Sequence, residues 1–449
     1  MSERTDTTAT RELSILQMSA PLVVSFWMRS LFTFVDTIFA ATLGDASVAA
    51  IGLSLPFEFG MIAIWVGLST GLTSNLARAI GAQQNAKVQQ HLGVSWRLVW
   101  GIVPVFFLAG LWIWSFGSAL APDAVTGRQF AIYGSVLVGG SAFTMFWSVI
   151  PDSIVKAHHD TRATMWAGIW SNVINVALNT LFTFVFHWGV FGIALSTVIG
   201  RFGGLIYALG KARTHEARRL AETREGQPGV DPAPYRSTLQ LAVPAALAFC
   251  LMGAETALVN MLLASRPGGT EAVAAYAIYF RIYQFVLMPA IAVAVAMLPF
   301  AARRFGAGDM PGITRGLRQA HGACALYLLA LTPVLYFFAL PIAQALTESS
   351  LAQHLAMTAI RAIPLMALVS LPVVLVRPAF EGLGQGRPGL ILALLRHLFL
   401  LLPCAAAAIW AAERWHLPAL LGLLGGLAVA AAMTSSIALI WARRRLRTA

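Results

Sequence analysis

Apolar residues run through this chain in twelve long stretches, and polar residues are largely confined to the gaps between them. The stretches are 14–40, 49–77, 94–119, 130–153, 163–186, 189–210, 239–264, 273–300, 317–342, 355–378, 388–411 and 417–442. A helix needs about 20 apolar residues to cross the hydrocarbon of a bilayer, so each stretch is long enough for one crossing. The chain is 58% hydrophobic and 11% charged, against roughly 45–50% and about 25% in soluble domains. Lipid is therefore the expected solvent for most of its surface. The expected fold class is an all-α integral membrane protein of twelve transmembrane helices. Pro21, Pro56, Pro104, Pro244, Pro289 and Pro372 fall inside these stretches, and membrane helices tolerate proline because neighbours satisfy the freed carbonyl.

The net charge of +12 raises the question of nucleic acid, and its placement argues against it. Lys and Arg gather in the polar gaps, the pattern that orients membrane proteins. With the N-terminus placed in the cytoplasm, 22 of the 31 basic residues fall on cytoplasmic segments, four on the other side and five within spans. Both termini are thus expected inside, on the inner membrane of a bacterium. No nucleic-acid partner is expected. The first thirteen residues are polar and carry both signs, unlike a cleavable signal, so the first span is expected to stay. Cys250, Cys324 and Cys404 lie in apolar runs; they read as packing residues, not as a metal or disulfide framework. No cofactor and no metal are expected.

The chain repeats. A shift of 225 residues places Val48-Ala49-Ala50 on Val273-Ala274-Ala275, Ala77-Arg78 on Ala302-Arg303, Gly81-Ala82 on Gly306-Ala307, and Arg162 on Arg387. Each half holds six spans, so the two are parallel repeats about an axis along the membrane normal, a plan typical of transporters. The expected organisation is a lobe over 1–210, a polar cytoplasmic linker over 211–238 and a second lobe over 239–449. The linker reads as a short charged surface helix followed by a Gly/Pro loop. Small-residue pairs Gly67 and Gly71, Gly200 and Gly204, and Gly422 and Gly426 read as seats for close helix packing.

A charge inside the bilayer costs about 2.5–3.5 kcal/mol at mid-helix, so buried ionisable residues are the functional candidates. Asp36 stands late in span 1 and can titrate or bind a cation; a structural pair with Arg29 is the alternative. Asn172, Asn175 and Asn179 in span 5 share one helical face, which suits either a cavity lining or interhelical hydrogen bonds. Glu58 and Glu255 are further acids within spans, and Arg281 and Arg377 can neutralise acids on other helices. His158-His159-Asp160 looks metal-like but reads as a solvated boundary at a basic loop.

Pro21 and Asp36 followed by Leu43-Gly44, then VAAIGLSLP at 48–56, GLSTGLTSNLARAIGA at 67–82, GVFGIALSTVIGR at 189–201, VAAYAIYFR at 273–281 and PFAARRFGAGD at 299–309 resemble the multidrug and toxic compound extrusion (MATE) family over nearly the whole chain. The resemblance implies two six-helix lobes about a central cavity, and export of bulky, often cationic drugs driven by inward protons or sodium ions. It implies that Asp36 is the cation-coupling acid, that Asn175, Asn179 and Thr197 are its polar partners, and that the first helix bends at Pro21. Glu255 lies near a second-lobe acid of one branch, which leaves Glu255, Glu58 and Arg281 as candidates for a substrate or second-lobe site. Two departures bear on the ion: Asn179 stands where many members have Asp, and Ser370 where one branch has an acid. Both favour protons as the coupling ion. A monomer is expected. The rival expectations are a lipid-linked sugar flippase of the same superfamily and a membrane-embedded enzyme, for which the chain shows no GxSxG or HExxH motif.

Overall fold

The computed structural model describes residues 14–121, 123–222, 229–266 and 268–448, with backbone only for 29–34, 222 and 446–448. Among them the chain forms twelve long helices: α1 (Ile15–Leu43), α2 (Asp45–Gly81), α3 (Asn85–Phe116), α4 (Ala124–Ala157), α5 (Thr161–Val185), α6 (Gly189–Glu222), α7 (Pro234–Ala264), α8 (Gly269–Gly306), α9 (Met310–Leu346), α10 (Ser350–Gly382), α11 (Gly386–Arg414) and α12 (Ala419–Thr448). Eleven are long and apolar enough to cross a membrane, and the described part of α1 adds the apolar stretch Ile15–Met28. Starts are marked by caps: the Ser14 hydroxyl and the Gln17 side chain bond each other's backbone N–H groups, and the carboxylates of Asp123, Asp160 and Asp309 accept from the first N–H groups of α4, α5 and α9. These bonds meet donors that helix geometry leaves unpaired. Pro21 lies within an unbroken α1.

Helices α1–α6 and α7–α12 form two lobes with the same internal packing. The pairs α2–α4, α3–α4, α4–α6, α5–α6 and α1–α5 recur as α8–α10, α9–α10, α10–α12, α11–α12 and α7–α11. The 225-residue shift survives in the backbone. Gln83 and Gly308 both adopt positive φ after α2 and α8, as do His159 and Gly384 after α4 and α10. The small-residue pairs seat helices closely. A Cβ on Gly200 or Gly204 would lie 2.7 Å from the Ser171 or Ala167 carbonyl of α5, and one on Gly422 or Gly426 would lie 2.7 or 2.5 Å from the Ala408 or Cys404 carbonyl of α11.

Gly67 and Gly71 instead serve the contact between lobes, against Ala242 and Thr238 of α7. The start of α1 (Ile15, Met18, Leu22) is likewise buried in the core of the second lobe. Further contacts join the lobes at the end where α1 starts and α12 finishes, which carries most of the basic loops and is here called the basic face. The α2 and α8 ends cross so closely that a Cβ on Gly81 would strike the Arg303 carbonyl, and one on Gly306 the Arg78 carbonyl. The two contacts are repeat-equivalent. Ser74 Oγ donates to the Glu381 carbonyl (2.6 Å) and Asn75 Nδ2 to Thr238 Oγ1 (3.2 Å).

Two polar segments differ from their sequence reading. Residues 211–222 continue α6 as one helix, because its extension is tied down: His215 pairs with Asp160 (2.9 Å), Glu216 with His158 (3.3 Å), and Arg219 donates to Asn85 (2.5 Å). Those ties also remove His158-His159-Asp160 from a solvated boundary. The His158 and His215 rings stack, and His159 reaches across the lobe junction to the Pro299 carbonyl of α8 (3.3 Å). The His215 hydrogen bond holds the Asp160 carboxyl below its usual range.

Valine at Gly81 or Gly306 should hold the lobes apart at the basic face. Overpacking of this kind costs about 1–3 kcal/mol. A cysteine at Ala82, in a chain otherwise free of cysteine, should then react with a water-soluble maleimide at least ~10-fold faster; an unchanged rate contradicts the closing role. Acid should act on the same junction through His159. Burial and the neighbouring Arg303 charge push its imidazole down to about 4, whereas a released histidine titrates near 6.5. The closed junction is therefore fully stable above about pH 6.5 and loses up to ~1.4 kcal/mol per pH unit as pH falls from there toward 4. Maleimide labelling corrected for thiolate content should rise from about pH 7.5 to about pH 5, and His159→Asn, which tolerates the positive φ, should flatten that rise.

Candidate functional site

Asp36 lies on α1 with 4% of its surface exposed. Two other helices converge on it. Asn179 and Asn175 of α5 donate their amide N–H groups to Oδ1 at 2.8 and 3.2 Å, and the Thr197 hydroxyl of α6 donates to Oδ2 at 2.6 Å. Spacings of four within α5 and one helix turn within the same lobe explain the convergence: Asn175 and Asn179 stack on one face. Behind them the Ser196 hydroxyl donates to Asn179 Oδ1 (2.6 Å), fixing which end of that amide faces the carboxylate. Asn175 Oδ1 is buried with no donor. Such an orphaned acceptor is unusual in a packed interior. All the groups bonded to Asp36 among the described residues are neutral; the side chain of Arg29, its alternative partner, lies outside them.

The third asparagine does not join. Asn172 donates to the carbonyl of Gly168 on its own helix (2.9 Å). One turn beyond Thr197, Arg201 bonds Glu58 of α2 (2.8 Å) and the Ser141 hydroxyl of α4 (2.7 Å). Glu58 thus belongs to the first lobe and is ion-paired. Ser196 and Arg201 were not singled out as site residues; their placement at 197−1 and 197+4 on α6 is the signal that could have found them.

The second lobe has its own acid in the corresponding helix pair. Glu255 of α7 bonds His397 of α11, where a wide π turn over Leu395–Leu400 lets adjacent residues reach different helices: His397 toward α7, and Arg396 toward Ser370 of α10 (3.4 Å). Tyr283 of α8 also reaches Ser370 (3.4 Å). π turns cluster at functional sites. Arg281 takes no part in this cluster and is exposed. Arg377 neutralises Glu381 on its own helix (2.9 Å), not an acid on another. A histidine as the partner of Glu255 had no advance signal, since 142 residues separate them.

The MatE family model matches residues 21–181 and 244–406, one segment in each lobe. The chain belongs to the MATE family of transporters. Its membership makes it a transporter and not an enzyme. This MATE protein is 27% identical over 209 residues to the uncharacterized transporter YisQ of Bacillus subtilis, covering 44% of each chain. It is 22% identical to the probable multidrug resistance protein NorM of Thermotoga maritima over 359 residues, 74% of this chain and 72% of that one. It is 23% identical to the multidrug export protein MepA of Staphylococcus haemolyticus over 65% of this chain and 64% of that one. The chain thus spans less than half of YisQ and just under two thirds of MepA. Among solved structures, a MATE protein in a bent conformation superposes with a TM-score of 0.84 at 20% identity, covering 96% and 95% of the two chains. A MOP superfamily transporter from Pyrococcus furiosus superposes with a TM-score of 0.82 at 20% identity over 99% of each. These likenesses show the twelve-helix, two-lobe fold.

Removing one member of the Glu58–Arg201 pair strands the other charge. Because both side chains are partly exposed, at 17% and 26%, the cost should be about 1–3 kcal/mol, less than for a fully buried pair. Glu58→Gln and Arg201→Gln should each lower the melting temperature in detergent, and the double variant should lose less than the sum of the two; strict additivity counts against a paired structure.

Proposed function

We propose that this MATE transporter is a cation-coupled antiporter that exports bulky, lipophilic and often cationic compounds, with Asp36 as the group loaded by the coupling ion. The observation that carries the reading is a buried carboxylate held by three neutral donors with an unused acceptor, Asn175 Oδ1, beside it. An ionised carboxylate can accept all three donors. Once protonated, the oxygen that carries the hydrogen is a donor and a weaker, neutral acceptor, so the hold of α5 and α6 on α1 loosens while the new O–H seeks an acceptor such as Asn175 Oδ1. A sodium ion would instead draw oxygens to itself. The neutral Asn179 and the Glu255–His397 pairing, which leaves no second free acid there, favour protons.

In this reading residues 1–210 and 239–449 move as units joined by 211–238, Pro21 eases the shift of α1, and the sealed basic face corresponds to a state open to the other side. The charge count supports placing that face and both termini in the bacterial cytoplasm. One proton crossing 100 mV supplies about 2.3 kcal/mol, enough to reverse a junction held by a few close contacts. The protein acts as a monomer, each molecule holding both lobes.

Asp36→Asn keeps the shape and removes the titration. Dye efflux from cells stripped of their own pumps should fall to background while membrane-inserted protein is unchanged; wild-type efflux overturns the assignment. In vesicles with separately imposed gradients, a proton gradient alone should drive uptake, and a sodium requirement would move the coupling from protons to sodium.

A further inference from the structure

A cavity of about 410 Å³ opens at the basic face between the lobes. Asn75 and Arg78 of α2 and Lys87 of α3 line it from the first lobe, and Asp231 at the end of the linker, Ser237 of α7 and Gly306 of α8 line the opposite side. The site around Asp36 does not include any of them. We infer that this cavity binds a small zwitterion bearing a phosphate group and a primary ammonium, whose N–H groups can donate to Asp231, and that the bound ligand holds the two lobes together.

The charges decide the ligand. The Arg78 guanidinium bonds the side-chain oxygen of Asn75 and the Ser74 carbonyl (3.4 Å), both neutral, and it lies against Gly384, whose missing side chain makes its room. Lys87, half-buried on the first turn of α3, has no carboxylate partner among the described residues. The first-lobe wall therefore offers two cations free to take a phosphate. The facing acid is fixed in place. Gln90 of α3 clasps the Asp231 backbone, donating to its carbonyl (2.8 Å) and accepting from its N–H (2.9 Å). Burial alone would raise the Asp231 carboxyl, but the Ser237 hydroxyl, the Ala233 N–H and the nearby Lys87 charge outweigh it and hold the group below its usual range. A simple anion would meet Asp231, and a simple cation would meet Arg78 and Lys87. A molecule with both charges satisfies both walls. Asp231 leads directly into α7, and Ser237 and Gly306 stand on α7 and α8, so ligand spanning Asp231 and the first-lobe cations ties α2 and α3 to the second lobe and favours the closed basic face by mass action. Volumes of about 300–1,000 Å³ are usual for small-ligand sites, and this one admits a phosphoethanolamine group, either free or as a lipid headgroup.

The test uses the full-length protein in detergent with O-phosphoethanolamine as probe. It should raise the melting temperature by several degrees at saturation and slow maleimide labelling at Ala82→Cys, while inorganic phosphate, ethanolamine and phosphocholine at equal concentration should not. Asp231→Asn keeps the acceptor for the Ala233 N–H, and Lys87→Gln keeps most of the side-chain stem at a half-buried position, so both variants should fold; each should weaken the effect at least ~10-fold. The source is read from nanodiscs. A higher melting temperature in phosphatidylethanolamine than in phosphatidylcholine, lost in both variants, assigns the lipid; stabilisation by the soluble probe alone assigns the free compound. Equal stabilisation by inorganic phosphate, no stabilisation by any zwitterion, or undiminished binding in both variants overturns the inference. None of these readouts involves transport, so the antiport reading stands or falls separately.

Discussion

Hydrocarbon offers a backbone no hydrogen-bond partner but itself, and the whole molecule follows from that constraint. It turns each apolar stretch into a helix before any side chain is considered. It removes the hydrophobic effect as a force between helices, so helices must meet through close fit and a few polar bonds. Glycine carries the fit. At Gly200, Gly204, Gly422 and Gly426 it lets α6 and α12 rest on the carbonyls of α5 and α11, which fixes each lobe. At Gly67, Gly71, Gly81 and Gly306 it lets one lobe rest on the other. The same surroundings make every buried charge conspicuous: some pair within one helix, as Arg377 does with Glu381, and others cross between helices, as Arg201 does to Glu58.

The two lobes share a scaffold and differ in chemistry. In the first, the acid on the leading helix meets amides and a hydroxyl; in the second, it meets an imidazole with a guanidinium next to it in sequence. A carboxylate among neutral donors can change its charge with modest rearrangement, whereas one paired to a histidine trades a proton within the pair. The scaffold is thus symmetric where the lobes close on each other and asymmetric around the acid of each leading helix.

What could be read in advance follows range. Apolar runs and the 225-residue offset are patterns within or between segments of the same chain, and both reappear as the twelve helices and as matched positive-φ turns at Gln83 and Gly308. The face shared by Asn175 and Asn179 is a local spacing. The Glu58–Arg201 and Glu255–His397 pairs are not legible, because 143 and 142 residues intervene and no period relates them. The charged helix after residue 210 is legible, but its continuity with α6 and the reach of His159 to α8 are not, for a related reason. A mixed-charge segment reads as solvated until its partners on neighbouring turns are known, and those partners, Asp160, His158 and Asn85, are each remote in sequence.

The crossing at Gly81 and Gly306 has one more implication. Main chain meets main chain there, so at the crossing itself no rotating side chain sets the closure. A gate made of long side chains flickers, one rotamer at a time, on the nanosecond scale, and small ions slip past. Two helices butted together must part as rigid rods or not at all. Such a seam would keep the membrane's ion gradient intact between turnovers, and the slowness of moving a whole half would be the cost of being watertight.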